Sequence, residues 1–82
     1  MIGGITLKQC LVCENYTIEA NYDICEVCYW EYDVVAQEYP DEIIGANNIS
    51  LKQAKINYAK FCAVEEKYIT LVRKPRQDEL PK

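Results

Sequence analysis

The chain has 82 residues, half of them apolar, 11% aromatic and 27% charged, a balance that fits one folded domain and excludes intrinsic disorder. It carries five cysteines, no histidine and a net charge of −4, and without imidazole the usual general base and any Cys-His or Ser-His arrangement are gone. No stretch of about 18 apolar residues is present, and the start Met1-Ile2-Gly3-Gly4-Ile5 lacks the basic and apolar regions of a secretion signal, so a cytoplasmic protein without membrane contact is expected.

So short a chain buries only about 60% of its unfolded surface, and its core alone gives marginal stability. A staple is needed, and the cysteines are the candidates. In a reducing compartment paired cysteines are more often metal ligands or catalytic thiols than disulfides, and an odd total argues against a closed disulfide set.

The first chemical signal in chain order is Cys10-Leu11-Val12-Cys13, followed after eleven residues by Cys25-Glu26-Val27-Cys28. A two-residue gap lets a tight turn aim both sulfurs at one ion, and two such turns complete a tetrahedron of thiolates at about 2.3 Å from zinc. Cys10, Cys13, Cys25 and Cys28 are thus candidate ligands of a structural Zn2+, whose binding energy would also be folding energy. Four reduced thiols filling a small core, or a redox pair at Cys10 and Cys13, are the alternatives. The separation is shorter than the 15–20 residues common in paired knuckles, so the intervening chain must form one compact hairpin with Asn21 near its tip. Glu14 and Tyr29 stand where a glycine often follows the second cysteine of a knuckle.

Past the second knuckle, Tyr29-Trp30-Glu31-Tyr32-Asp33 alternates rings with carboxylates, and a short turn or helical stub follows before Pro40. Trp30 reads as a core plug beside the metal or as a binding anchor. Glu31 and Asp33 read as partner-facing or as ordinary surface acids. Ser50 with Gln53 makes a capping box that starts a helix at Leu51, and Leu51, Ala54, Tyr58, Phe61 and Cys62 form one apolar stripe on it. On this stripe Cys62 is a small hydrophobe rather than a nucleophile. Residues 64–72 support a second, shorter helix, with Val64, Tyr68 and Leu71 on one side. Residues 77–82 form a polar, flexible tail.

Charge is laid out unevenly along these elements. Between Gln9 and Leu51 there is no Lys or Arg but nine acids, whereas eight of the nine bases lie at or after Lys52. Tyrosines and Trp30 interleave the acids. Such a half suits a protein partner and opposes nucleic acid, because carboxylates would face phosphates. A solvated acidic face kept for solubility is the plainer account.

Cys10-Leu11-Val12-Cys13, then Tyr22-Asp23-Ile24-Cys25-Glu26-Val27-Cys28-Tyr29-Trp30-Glu31, Asn47-Asn48-Ile49-Ser50-Leu51 and Val72-Arg73-Lys74-Pro75 together resemble the bacterial cysteine-rich CPCC family, in order, over about residues 6–79. The family pattern places a proline, a third cysteine and a following glycine where Leu11, Val12 and Glu14 stand here; the outer cysteines remain. The resemblance supports a four-cysteine ribbon and defines no reaction. Such small proteins often look like members of bacterial toxin–immunity neighbourhoods.

The expected fold is therefore a small α+β single domain over residues 1–82: zinc-ribbon-like β-hairpins at the N-terminus, with both knuckles within residues 1–32, packed against two C-terminal α-helices within residues 50–73. The expected function is non-catalytic: an immunity protein binding a basic toxin domain through an acidic, aromatic surface, with Trp30, Glu31, Tyr32 and Asp33 as contact residues. The alternative is a zinc-ribbon adaptor or nucleic-acid-associated factor using the bases of residues 52–76.

Overall fold

The structure, a computed structural model, describes residues 7–81; the chain start read above as lacking a secretion signal, and Lys82 of the tail, lie outside the described residues. Strands β1 (Lys8–Gln9) and β2 (Tyr16–Ile18) pair antiparallel around the first knuckle, with Lys8 opposite Ile18, Gln9 opposite Tyr16 and an irregularity between the two pairs. Helix α1 (Val34–Glu38) follows the second knuckle, and helix α2 (Leu51–Phe61) follows a long loop. Two 3-10 helices, Glu66–Leu71 and Gln77–Glu79, complete the chain. The expected hairpin-then-helices α+β arrangement is present.

Two hairpins repeat one bonding pattern, shifted by fifteen positions. In the first, the Cys10 amide donates to the Asn15 carbonyl and the Glu14 amide to the Cys10 carbonyl, at 2.9 and 3.0 Å. In the second, the Cys25 amide donates to the Trp30 carbonyl and the Tyr29 amide to the Cys25 carbonyl, at 2.9 and 2.7 Å. The bridge between Ile24 and Glu31 is the counterpart of Gln9 and Tyr16. Glu14 and Tyr29, at φ +66° and +74°, take the left-handed conformation that suits glycine. The missing glycines noted in the sequence are thus replaced by strain, not by a different turn.

Ser50 caps α2 by accepting from the Gln53 amide at 3.0 Å, but the Gln53 side chain donates forward to Asn57 and not back to the cap, so only half of the expected capping box forms. The Lys52 amide, one of the donors a helix start leaves without an internal partner, donates to the Pro40 carbonyl at 2.9 Å. Leu51 and Ala54 are buried, Tyr58 and Phe61 half-buried. Cys62 departs from the expected apolar stripe: it is the left-handed cap of α2 at φ +61°, and its side chain is exposed.

The second C-terminal helix is 3-10 and begins only at Glu66. Val64 is drawn out of any continuous helix because its amide donates to the Cys28 carbonyl at 2.9 Å, while its carbonyl accepts from the Asn57 side chain at 2.8 Å. Nor is the described part of the tail loose. Glu79 is 3% exposed, so residues 77–79 are an integral turn, where sequence reading expected a flexible end.

Beneath these elements lies a core of Ile18, Val27, Trp30, Ala36, Leu51, Ala54 and Val64, merged with Cys10, Cys25 and Cys28. Among the described residues, no helix is long and apolar enough to cross a membrane.

Candidate metal centre

Each knuckle turn supplies two sulfurs, and the hairpins bring both turns together. The Cys10 and Cys28 sulfurs lie 3.4 Å apart, those of Cys13 and Cys25 3.7 Å apart, and all four lie within 4.8 Å of one another. Sulfurs around a tetrahedral zinc at about 2.3 Å would stand about 3.8 Å from one another, so the spacing matches a four-thiolate metal shell. All five cysteines are free thiols. Cys10, Cys25 and Cys28 are buried and Cys13 is partly exposed at the edge of the site.

Electrostatics also favour a cation. The hydrogen bond from Cys10 holds the Cys25 thiol far below its ordinary range, with Cys13, Cys28 and the hydroxyl of Thr17 acting in the same direction. A bond with Cys10 also lowers Cys13. Conversely, Cys28 is pushed far up by its bonds with Cys10 and the other thiols, and Cys10 is pushed up chiefly by Cys13. Crowded thiolates in a dry site repel one another, and the cluster can ionise fully only around a positive ion. The four thiols can therefore hold one metal ion. With every position filled by protein sulfur, such a shell leaves no place for substrate or water.

Thr17 was not among the residues singled out from the sequence. Its Oγ1 donates to the Cys25 sulfur at 3.0 Å, the kind of outer-shell bond that orients a ligand and tunes its basicity. Strand β2 positions it, and the pairing of hydroxyl and sulfur exists only once the hairpins pack. The same holds for Asn47, whose side-chain oxygen accepts from the Glu31 amide at 3.0 Å while its Nδ2 donates to the Glu31 carbonyl at 2.9 Å. Its amide thus stands in for a neighbouring strand.

The proposed contact residues fare differently. Trp30 is 0% exposed and packs in the core, so it is a plug under the knuckles and presents nothing to a partner. Asp33 is buried as well: its Oδ1 accepts from the Val35 amide at 2.9 Å as the N-cap of α1, and its Oδ2 accepts from the Ala46 amide at 2.8 Å. Glu31 and Tyr32 are half-buried. Trp30 and Asp33 are three positions apart, so strict strand alternation would put them on opposite faces; both end inside because the extended chain gives way at Asp33 to the N-cap of α1, where the carboxylate is buried on its two amide donors.

Two short hairpins, four converging sulfurs and helices covering one side define a small tetracysteine domain of the zinc-ribbon type. The family described as Cysteine-rich CPCC matches residues 8–79, and the chain belongs to it. No curated protein and no solved structure matches the chain.

Proposed function

We propose that the chain is a zinc-stabilised, non-catalytic binding domain for a basic protein, most concretely an immunity protein that neutralises a cognate bacterial toxin in the cytoplasm. Four thiolates in tetrahedral spacing suit zinc, as they also suit iron, and a closed shell suits a structural ion.

The observation that carries the reading is how the fold distributes its charges. Arg73 and Arg76 are held on Glu79, and Lys67 and Lys52 make longer, exposed pairs with Glu65 and Asp41; Lys55, Lys60 and Lys74 make no ion pair among the described residues. Meanwhile Glu14, Glu19, Glu31, Glu38 and Glu42 make no ion pair among the described residues. The surplus acid attracts cationic proteins at long range and repels phosphate backbones. The nucleic-acid reading loses the two arginines, Arg73 and Arg76, that Glu79 holds.

The test is native mass spectrometry of the protein purified from its own host through a mild C-terminal tag. One zinc per chain, less the displaced protons, with a co-purifying basic protein supports the reading and names the partner. An apo monomer with free thiols overturns the zinc centre; a zinc-loaded chain that carries nucleic acid overturns the protein-inhibitor role.

A further inference from the structure

We infer that the ten-residue segment 34–43 is the docking surface for a basic segment of a partner protein, one that also brings apolar side chains. The inference rests on the protein-binding reading above and gives it a location, one that the buried Trp30 and Asp33 cannot provide.

Four large apolar residues of this segment face solvent: Val34, Val35, Tyr39 at 49% exposure and Ile43 at 72%. Interleaved with them, Glu38, Asp41 and Glu42 are exposed, and the segment contains no base. Asp41 has one weak ion pair, to Lys52 at 3.9 Å with both side chains mostly in water; Glu38 and Glu42 have none among the described residues. Lys52 and Lys55 of α2 border the segment beside Pro40 and Asp41, but within it exposed aromatic and branched side chains interspersed with carboxylates match a ligand of opposite charge with apolar teeth. An anionic membrane or nucleic acid would meet the same carboxylates unfavourably.

Structure around the segment holds it in shape. The buried carboxylate of Asp33 grips the chain near the start of the segment, at Val35, and three residues past its end, at Ala46, and the Lys52 amide holds the Pro40 carbonyl in between. A turn closed from the Glu42 amide to the Tyr39 carbonyl at 3.1 Å sets Ile43 outward. A preshaped loop loses little conformational freedom on binding, which favours recognition.

The test is a 15N-NMR titration of the zinc-loaded full chain with a synthetic twelve-residue peptide of alternating lysine and leucine pairs, at 50 mM and 300 mM salt. Amide shift changes concentrated in 34–43 are expected. Affinity should fall at least tenfold in the Glu38→Gln/Asp41→Asn/Glu42→Gln variant at 50 mM salt, and at least fivefold in Tyr39→Ser/Ile43→Ser at 300 mM, with zinc content unchanged in both. Shifts centred on Glu14, Glu19 or Glu26 would overturn the surface while leaving an acidic binding protein. No shifts at 1 mM peptide would overturn both the surface and the basic-partner reading. Self-association that the Tyr39→Ser/Ile43→Ser variant abolishes would make a second copy the occupant and overturn the inference.

Discussion

The guanidinium of Arg73 donates two parallel hydrogen bonds to the carboxylate of Glu79, each at 2.8 Å, while its Nε reaches Glu26 at 3.3 Å between the two cysteines of the second knuckle. One side chain thus fastens the C-terminal turn to the candidate metal centre. The Arg76 amide adds a third donor to Glu79 at 2.8 Å. Bidentate, charge-assisted bonds of this kind are the strong ones, and leaving one partner buried alone is costly.

Glu79→Gln should therefore lower stability by about 2 kcal/mol at pH 7 in urea or thermal unfolding, and Arg73→Lys should fail to preserve the wild-type value because an ammonium cannot match the fork. Arg73 beside it holds the Glu79 carboxyl down to about 2. A lowered folded pKa means the contribution is complete above the unfolded carboxyl range and is lost as pH falls from there towards about 2. The gap between wild type and Glu79→Gln should accordingly stay constant from pH 8 to 5.5; a gap that closes within that window would refute this account.

Metal removal should unfold the chain. With a strong chelator at neutral pH, circular dichroism and NMR dispersion should collapse and return on adding one equivalent of zinc, since binding energy and folding energy coincide. Cys25→Ser should abolish stoichiometric binding, whereas Cys62→Ser, at the exposed cap of α2, should retain one ion per chain. Thr17→Val should keep the stoichiometry and weaken metal affinity by about tenfold, as loss of an outer-shell hydrogen bond does.

The left-handed residues of the two knuckles should respond oppositely to glycine. Glu14 is exposed, and relief of its strained backbone should make Glu14→Gly neutral or stabilising by about 0.5 kcal/mol. Tyr29 stacks on Tyr68 with ring centroids 4.4 Å apart, so Tyr29→Gly should destabilise by about 1–2 kcal/mol despite the same backbone relief. Equal effects at the two sites would mean that the strain, not the stack, decides.

Gly45 sits at φ +85° against Asp33, and a Cβ there would overlap the Asp33 Oδ2. Gly45→Ala should destabilise by about 2–3 kcal/mol, through both the disfavoured backbone and the broken grip on the 33–46 loop. Asp33→Asn should cost about 1–2 kcal/mol, since one of its two accepted bonds is lost or weakened. Urea midpoints at constant m-value would measure both.

Several features were legible in the chain because they depend on spacing alone. The two C-x-x-C pairs, the Ser50 cap, the start of α2 at Leu51 and a short turn or helical stub before Pro40 are all local patterns; the structure contains the first three and makes the last a helix, Val34–Glu38. Where non-local bonds compete, local reading went astray. Val64 continues an apolar pattern but gives its amide to Cys28, and the polar tail around Glu79 looks soluble until Arg73 folds over it.

Taken alone, the sequence determined which residues could ligate a metal, the order of hairpins before helices, and the separation of acids from bases, because these follow from residue type and near neighbours. Only the tertiary structure decided that Trp30 and Asp33 turn inward, that Thr17 and Asn47 support the knuckle region, that Arg73 and Arg76 are spent on Glu79, and that segment 34–43 stands out. Burial and ion pairing are sums over distant parts of the chain, and no window of sequence contains both partners.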